Sequence, residues 1–584
     1  MRFVLKISVT MIVIFLQMAC EPITHEKQML SEGWTMAYDP DNLGLLEGAF
    51  DRDYDRSNWI PAQVPGDWSD GEYDGFAWYH TIIQAKNYPA GSKLALVFES
   101  VDDNAVIWLD GRLIGKQDGY GEKFFIDMDD KLDDLRPHDL VVRIQDFGGP
   151  GGINKPVYLQ PYMDEEDLIR SEDAKQTAPE APEWVQNAAI YEVFVRSHSS
   201  ARTFEAVEKD LDRIQQLGID VIWLMPIHPI GVENHKEDPG SPYAVKDYYA
   251  VNPRFGTMDD FKSLVDAVHD RGMYIILDMV MNHSSWDNAL MEEHPDWYTR
   301  DAAGEVVSPN TDWWDVADLN YDAEGIRDYM VDMLVWWVRE TGIDGFRFDV
   351  AELVPNEFWV AAKEACQAVN PEVFFLAEGD KPYLHLNGHD MTYSWNIWSR
   401  VVGAAQGEIA MTEIKKSFEN EALQYPKNAL RMRFTENHDK ERSRAIIGDR
   451  DLNRTAWSFV ALMKGNPLIY AGQEVGARRR ADILKDPVIY WSRADRELER
   501  EMGEILALRK EWIDPDSEFQ IILANDEKQV IAYKHGSILG FFNFSDQSFQ
   551  FNARGVDDIL LGQLEFNEAD SSYVLGAKGF GIVK

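Results

Sequence analysis

The chain has 584 residues, of which 45% are hydrophobic and 12% aromatic, and this predicts a globular protein with several domains. The formal net charge of −44 argues against a nucleic-acid partner, because nucleic acids bind basic surfaces, and it disfavours anionic substrates. Cys20 and Cys366 are the only cysteines of the sequence, which excludes a framework of disulfides.

Residues 1–20 differ in composition from the rest of the chain. Arg2 and Lys6 precede an apolar run, 7–19, that ends at Cys20 and is too short to span a membrane comfortably. This pattern is typical of a secretory signal peptide, and its end resembles a bacterial lipoprotein signal, in which the cysteine becomes the lipidated first residue. We therefore expect a periplasmic or cell-surface protein with a lipid anchor at Cys20. A plain signal peptide is the alternative.

Between residues 30 and 163, short alternating runs separated by turn residues predict β-strands. The clearest are 94–98, 105–109 and 140–144, and Asp110-Gly111 after the second is a hairpin signal. Together they predict an antiparallel β-sandwich of the jelly-roll kind. The charged, proline-containing stretch 164–183 that follows is interpreted as a linker.

The sandwich region resembles the sugar-binding jelly roll that opens family 2 glycoside hydrolases. The resemblance rests on the runs 58–68, 101–111 and 151–159. Four tryptophans in the region either stack on sugar faces or pack in the core or between domains. These are Trp59, Trp68, Trp78 and Trp108.

From residue 184 to residue 514, predicted strands alternate with predicted helices. The strands are 190–195, 221–226, 273–280, 345–349, 372–376, a weaker one near Met391, 429–434 and 466–470. The number of units predicts an α/β fold with a TIM (β/α)8 barrel, and an insertion at 284–322 fits a barrel with a loop domain. A doubly wound sheet stays possible from the pattern alone. Residues 515–584 are predicted to form a small C-terminal β domain.

Catalytic residues of such barrels gather at the carboxyl ends of the strands. Four predicted strand ends carry polar runs that a core does not require, namely 278–283, 345–349, 374–379 and 434–439. Arg347 and Asp349 are two residues apart and share one side of a strand. We therefore expect the guanidinium to lower the pKa of Asp349 and keep it ionised. A single pair of this kind is more often an internal salt bridge, but four polar ends in this order indicate a catalytic site.

These motifs resemble, in order, those of glycoside hydrolase family 13, the α-amylase family, over residues 185–584. The resemblance implies a retaining hydrolase that cleaves α-glucosidic bonds of starch-derived glucans or maltooligosaccharides through a covalent glycosyl-enzyme. It implies that Asp349 is the nucleophile and Glu378 the general acid/base. Asp439 is then the third carboxylate, which stabilises the distorted transition state.

The resemblance also implies residues that bind the sugar at the cleavage point. Arg347 orients the nucleophile, His283 and His438 donate or accept hydrogen bonds at sugar hydroxyls, and Tyr243 stacks on the ring. Asp278 matches a structural carboxylate beside the arginine. A purely structural hydrogen bond is the alternative role for each histidine.

The motifs of calcium-dependent relatives are incomplete here. Glu352-Leu353 stands where such α-amylases usually carry Lys-His, although Asn282 matches an asparagine that ligates calcium in some members. The mechanism requires no cofactor and we assign no metal ligand, so calcium is only an alternative. The run 312–321 resembles the insertion of cyclomaltodextrinase-like and neopullulanase-like enzymes. Its Trp313 and Trp314 either line the cleft or pack.

Two other functions fit the same residues. An α-glucan transglycosylase of this family uses the same three carboxylates but protects the glycosyl-enzyme from water. A non-catalytic surface glycan-binding protein would use the front sandwich for capture. The partner expected in each case is a neutral α-glucan or oligosaccharide. The sequence fits both α-1,4 and α-1,6 linkages and indicates no oligomeric state.

Overall fold

The computed structural model describes residues 27–40, 42–68, 75–86, 88, 92–117, 123–128, 131–132, 136–146, 151–162, 170–485, 487–552, 558–567 and 572–584. The predicted signal peptide and Cys20 lie outside the described residues. Contacts divide the chain into two units, Met1–Ile169 and Arg170–Lys584. Within the described ranges, each helix is too short or too polar to cross a membrane.

The first unit consists of antiparallel strands and one short helix, Gly44–Glu47, in the ranges that the structure describes. The strands are β1 (Gln28–Met29), β2 (Thr35–Tyr38), β3 (Ile60–Pro61), β4 (Gly66–Asp67), β5 (Gly75–Ile83), β6 (Leu94–Phe98), β7 (Asn104–Leu109), β8 (Arg112–Gln117), β9 (Phe124–Asp127), β10 (His138–Asp146), β11 (Gly152–Ile153) and β12 (Val157–Pro161). They form a sheet in the order β1-β12-β6-β9, a sheet in the order β3-β2-β5-β10-β7-β8, and the pair β11-β4.

The two larger sheets of this unit share one hydrophobic core. Leu96 and Leu159 of the first sheet and Ile107 and Leu140 of the second belong to it, and all four side chains are buried. Two antiparallel sheets that bury a common face form a β-sandwich, as predicted. The resemblance to the family 2 sugar-binding domain stays a prediction.

The hairpin between β7 and β8 turns at Asp110-Gly111, as the sequence predicts. Both residues have positive φ, 48° and 81°, which is the backbone that a tight two-residue hairpin requires and that glycine adopts without strain. The Asp110 side chain also accepts a hydrogen bond of 3.0 Å from the Asp139 N–H of β10. The turn is therefore held to the neighbouring strand.

The four tryptophans of the sandwich pack inside this unit and do not stack on sugars. All four are buried, and Trp108 is stacked between Trp78 and Phe50, with ring centroids 5.3 and 5.4 Å apart. Trp68 stacks on Tyr79 at 6.3 Å. A ring covered on its faces offers no platform to a sugar, so the packing alternative is correct. The buried residues are Trp59, Trp68, Trp78 and Trp108.

The second unit contains the closed barrel. Its strands are β13 (Ile190–Val193), β14 (Val221–Leu224), β15 (Tyr274–Val280), β18 (Gly345–Asp349), β19 (Phe374–Ala377), β20 (Met391–Tyr393), β21 (Leu430–Arg433) and β22 (Asn466–Tyr470), and β16 (His283–Ser285) pairs with β17 (Val316–Asp318) in a loop. The eight barrel strands are parallel, and β13 closes the ring on β22. This confirms the predicted TIM barrel and excludes the doubly wound sheet.

Helices surround the barrel. The α-helices of this unit are Val195–His198, Phe204–Glu208, Leu211–Gln216, Met258–His269, Leu290–Glu293, Ile326–Thr341, Asn356–Gln367, Trp395–Gln406, Met411–Gln424, Ser443–Ile446, Arg450–Leu462 and Arg496–Trp512. Short 3-10 helices lie at Asp173–Lys175, Glu183–Val185, Pro295–Trp297, Ala351–Leu353, Pro382–Leu386 and Trp491–Arg493.

The helix Met258–His269 shows why such segments fold on the barrel. Thr257 and Asp260 form a capping box, in which each side chain bonds to the other residue's backbone N–H. Phe261, Leu264 and Val268 recur at helical spacing and are buried. The capped end and the apolar face together fix the helix against the strands.

The interpreted linker is packed against the barrel in its second half. From Arg170 onward it belongs to the second unit, and the Ala178 N–H donates 2.9 Å to the Lys427 carbonyl. Residues 163–169 lie outside the described part of the chain. In the described part of this segment, the charged residues Glu172, Lys175, Glu180 and Glu183 are exposed to solvent.

The C-terminal residues form a small antiparallel β domain, as predicted. Its strands are β23 (Phe519–Asn525), β24 (Val530–His535), β25 (Ile538–Asn543), β26 (Phe549–Phe551), β27 (Ile559–Gly562), β28 (Leu564–Asn567), β29 (Ser572–Leu575) and β30 (Phe580–Val583). They form sheets in the orders β23-β24-β25-β30-β27 and β26-β29-β28. The Tyr533 hydroxyl donates 3.0 Å to the Phe459 carbonyl, which ties the domain to the helix Arg450–Leu462.

Candidate active site

The site is built by the two-residue period of the barrel strands. Ile190, Val221 and Ile276 belong to the apolar core that fills the barrel interior. Two residues further along the same strands, on the same side, come Glu192, Trp223 and Asp278. The carboxyl ends of the strands therefore place polar groups directly above an apolar layer, where water is scarce.

Arg347 of β18 lies at the centre of this polar layer and is fully buried. Its Nη1 contacts Asp278 Oδ1 at 2.8 Å and Asp349 Oδ1 at 3.0 Å. Its Nη2 lies 2.8 Å from Glu378 Oε2, and its Nε donates 3.1 Å to the Tyr393 hydroxyl. One guanidinium thus holds three carboxylates from three different strands around itself.

The backbone after the strand is strained at Val350. Its φ of 39° lies in the left-handed region, which a β-branched residue rarely adopts. In this conformation the Val350 N–H donates 2.8 Å to Glu378 Oε2. The strained turn therefore gives the predicted acid/base a backbone donor in addition to its ion pair with Arg347, the same guanidinium that contacts Asp349.

A second chain of contacts runs through His438. Its Nδ1 contacts Glu192 Oε1 at 2.5 Å, and its Nε2 lies 2.7 Å from the Tyr243 hydroxyl and 3.3 Å from Asp439 Oδ1. The Tyr243 hydroxyl also donates 3.2 Å to Asp278 Oδ2. Asp278 therefore joins this chain to the one around Arg347.

Charge explains the protonation of the histidines. Burial lowers the pKa of His438, but Asp439 and Glu192 outweigh it and raise that pKa to about 9, so the ring is a cation at neutral pH. Burial lowers the pKa of His283 to about 3, so that ring is neutral. His283 Nε2 lies 3.9 Å from Asp349 Oδ2. One histidine offers positive charge and the other a neutral ring.

The expected effect of Arg347 on Asp349 is outweighed. Burial first, and the Glu378 carboxylate second, raise the pKa of Asp349 well above its ordinary value, whereas Arg347 lowers it. Burial also raises the pKa of Asp278 to about 6, with Arg347 again opposing. Arg347 lowers the pKa of Asp349 as predicted, but the prediction of a depressed pKa was wrong, because burial and the neighbouring carboxylates outweigh the guanidinium. Such a group of acids shares protons and titrates as a unit.

The predicted residues open onto one cavity of about 580 Å³. Its wall includes Tyr243, His283, Asp349, Glu378 and Asp439. Arg347 and His438 lie behind these residues and reach the cavity through their contacts with Asp349 and Asp439. The structure thus brings together all seven side chains that the sequence singled out.

The insertion supplies one wall of this cavity. His283 begins β16, whose partner β17 follows Trp313, and the two rings lie 5.7 Å apart. Trp313 lines the cavity, whereas Trp314 is 51% exposed and lies outside its wall. Of the two tryptophans, Trp313 therefore lines the cleft and Trp314 does not.

Acidic side chains close enough to hold a metal occur, among the described residues, at one place. Asp102, Asp103 and Asp146 have carboxylate oxygens within 4.8 Å of one another, in the first unit and not in the barrel. Carboxylate oxygens suit Ca²⁺. Asn282, the residue matched to a calcium ligand, lies with its Nδ2 at 3.4 Å from His283 Nδ1.

Glu192, Trp223 and Tyr393 complete the site and were not predicted. Glu192 anchors His438, Trp223 Nε1 donates 3.2 Å to Asp278, and Tyr393 contacts Arg347. The signal for Glu192 was present, because it is a lone carboxylate inside the strand Ile190–Val193 that is otherwise apolar or aromatic. The two aromatic residues carry no such signal, since their strands read as ordinary core.

Comparison with known proteins identifies the family of the chain that carries this site. Residues 190–517 fit the model of the alpha-amylase catalytic domain. The chain belongs to the alpha-amylase family. Members of this family are glycosidases that act on O-glycosyl bonds and need no organic cofactor.

Individual relatives of the family support the assignment. The chain is 30% identical over 349 residues to the alpha-amylase MalA of Haloarcula japonica, a match that covers 56% of this chain and 50% of that protein. It is 28% identical over 343 residues to a cyclomaltodextrinase of a Bacillus species, a match that covers 50% of this chain and 60% of that protein. The matched region thus spans about half to three fifths of these relatives.

Solved structures resemble the alpha-amylase region over nearly their whole length. An alpha-amylase from Lactobacillus plantarum has a TM-score of 0.63 and 29% identity, and covers 68% of this chain and 99% of its own. The noncanonic maltogenic alpha-amylase AmyB from Thermotoga neapolitana has a TM-score of 0.60 and 30% identity, with 69% and 97% covered.

Proposed function

We propose that this alpha-amylase family member hydrolyses α-glucosidic bonds of maltooligosaccharides and starch-derived glucans with retention of configuration. One observation carries the proposal: Asp349 and Glu378 contact the same buried guanidinium at the wall of one cavity. A retaining glycosidase needs two neighbouring carboxyls, one ionised to attack and one protonated to release the leaving group.

The contacts support a division of roles between the two carboxyls. Asp349 forms a charge-assisted bond with Arg347 and turns its second oxygen toward His283, which suits a nucleophile at the anomeric carbon. Glu378 follows the buried strand Phe374–Ala377 and is fixed by the Val350 N–H. In the proposed mechanism it protonates the leaving oxygen and then deprotonates the water that cleaves the glycosyl-enzyme.

The remaining polar groups suit recognition of one glucose ring. Asp439 lines the cavity and its Oδ1 lies 3.3 Å from the cation His438, which holds the carboxylate in place to accept a hydrogen bond from a sugar hydroxyl. Tyr243 is stacked near His438, with centroids 5.6 Å apart, and its ring lines the cavity. An aromatic face beside paired polar groups is a common arrangement for binding a sugar.

Substitution of Asp349 by Asn tests the proposal. Wild-type protein is expected to release the α-anomer first from maltooligosaccharides, as followed by NMR, and the Asn variant is expected to lose at least about a thousandfold in kcat. Asp328→Asn, an exposed residue on the helix Ile326–Thr341, is the charge-matched control. Undiminished turnover by the Asp349 variant would overturn the assignment of the nucleophile.

Substrate range and location complete the proposal. We expect activity on starch and cyclodextrins, because the insertion resembles that of cyclodextrin-cleaving relatives. Secretion with lipid anchoring at Cys20 is proposed from the sequence pattern of residues 1–20. A Cys20→Ser substitution is expected to release the protein from the membrane fraction without loss of activity. Calcium stays a prediction that the proposed mechanism does not use.

A further inference from the structure

A second cavity, of about 810 Å³, lies beside the catalytic one. Arg480 and Asp482 belong to the walls of both cavities, so the two adjoin each other. The loop that follows β22 forms most of the wall, including three consecutive arginines, 478–480. A glucan chain that extends from the cleavage point along this side would meet these side chains.

The charge of this second cavity is opposite to that of the protein. Its wall carries six cations and one carboxylate in the described residues. Two of the cations are neutralised locally, since Arg442 contacts Glu436 at 2.6 Å and Lys485 contacts Asp482 at 2.9 Å. The other four are Arg478, Arg479, Arg480 and Arg493.

These four arginines are poorly paired. Arg478, Arg479 and Arg493 are exposed, and among the described residues no carboxylate forms an ion pair with any of the three. Arg480 has one distant partner, Glu441 at 4.0 Å. The positive charge of this cluster also acts on Arg444, whose pKa is lowered first by burial and then by Arg478. Cations that are held together with few paired carboxylates among the described residues attract an oxyanion.

The wall also offers a surface for a sugar ring. Tyr490 lines the same cavity and is 59% exposed. The guanidinium carbon of Arg493 lies 5.6 Å from the centre of its ring. An exposed aromatic face next to a guanidinium combines stacking with charge, which suits a sugar that bears a negative substituent better than a free anion.

We propose that the cavity formed by Arg478, Arg479, Arg493 and Tyr490 binds an oxyanion carried by the α-glucan substrate, such as a phosphate ester. This names the substrate class of the proposed hydrolase and rests on that function. The net charge of −44 predicts the opposite for the chain as a whole. Physiological salt screens charges that are more than about 8 Å apart, so the local arginine cluster determines the electrostatic potential in this cavity.

The test compares maltotetraose carrying one phosphate ester with neutral maltotetraose. At physiological salt, wild-type kcat/KM is expected to be roughly tenfold higher for the ester, because a hydrogen bond to a charged group contributes about the free energy of a tenfold change in affinity. The double substitution Arg478→Gln with Arg479→Gln is expected to reduce this ratio to about 2 and leave the neutral substrate unchanged. A matched control removes two exposed arginines elsewhere, Arg339→Gln with Arg500→Gln, and keeps the ratio.

Binding separates this inference from the proposed hydrolysis. Calorimetry with the Asp349→Asn protein measures the affinity for both oligosaccharides without turnover, so the ratio of dissociation constants reports on the arginines even if no bond is cleaved. Preference for the ester that the double substitution removes supports the inference. Equal affinity for both oligosaccharides overturns it. Inorganic phosphate that binds as tightly as the ester also overturns it, because the ligand is then a free anion.

Discussion

Asp39 in the sandwich and Asp349 in the barrel are both buried carboxylates, but their neighbours differ in kind. Asp39 accepts hydrogen bonds of 2.8 to 2.9 Å from the backbone N–H groups of Leu43 and Gly44 and from Trp78 Nε1. All three donors are neutral. Asp349 instead faces Arg347 together with other carboxylates, of which Glu378 contributes most to its raised pKa.

This difference separates a structural carboxylate from a chemical one. The hydrogen bonds from these neutral donors fix the Asp39 carboxylate and connect the segment before the helix Gly44–Glu47 to β5. Several acids around one cation disfavour each other's ionisation, and holding them close together lowers the folding stability. A retaining glycosidase needs one carboxyl ionised and its neighbour protonated, and acids that disfavour each other's ionisation suit this division.

The largest expected effect is on the chemical side of the comparison. Glu378→Gln removes the proposed proton donor but keeps the oxygen that accepts from the Val350 N–H. We expect kcat on maltooligosaccharides to fall roughly a thousandfold, the usual contribution of a general acid. Nitrophenyl glycosides, whose leaving group needs no protonation, should form the glycosyl-enzyme almost normally and show a burst in stopped-flow measurements.

The burst is the decisive readout for Glu378. If the variant loses the burst and the steady-state rate equally, the residue acts in binding or folding and the comparison with Asp39 fails. Glu340→Gln, an exposed carboxylate on the helix Ile326–Thr341, is the control and should match wild type in both measurements.

The next effect tests the structural carboxylate. Asp39→Ala leaves three N–H donors without their acceptor, and we expect the sandwich to lose roughly 2–4 kcal/mol of stability. Urea unfolding followed by tryptophan fluorescence measures this loss, since Trp78 is one of the donors. Hydrolysis of maltotetraose should stay within about twofold of wild type. A large loss of kcat in a folded variant would contradict the division drawn here.

The fold was predictable because it repeats simple patterns. Apolar runs followed by helical stripes marked each βα unit, and even the three-residue strand Met391–Tyr393 lies where a weak signal was seen. The Asp110-Gly111 hairpin was equally local. The packed segment after Arg170 was not predictable in this way, because its contacts with Lys427 depend on tertiary structure.

The site was predictable where its residues lie close together on one strand. It was less predictable where a property depends on several groups that are distant in the sequence. The contact of Arg347 with Asp349 follows from their spacing. The pKa of Asp349 does not, because it depends on burial and on Glu378, which comes from another strand. The same reason hid Glu192, whose partner His438 is distant in the sequence.

The smallest expected effect is a change in how the stability of the barrel depends on pH. His438 has a folded pKa of about 9 against an ordinary 6.5, so its ion pairs contribute stability fully below pH 6.5 and lose it as the pH rises through 9. Glu192→Gln removes one of the two counter-charges and brings the folded pKa down. Between pH 6 and pH 9.5 the free energy of unfolding of wild type should therefore fall by on the order of 1–2 kcal/mol more than that of the variant.

Urea titrations at several pH values measure both slopes, and the exposed-site variant Glu340→Gln should follow wild type. Parallel slopes for wild type and Glu192→Gln would mean that Glu192 holds His438 by a hydrogen bond without charge. His438 would then be a neutral ring like His283, whose pKa of about 3 gives no change in this range. The barrel would still gather its carboxylates around Arg347, but the cation beside Asp439 would be lost, and with it the charge that holds this carboxylate in place.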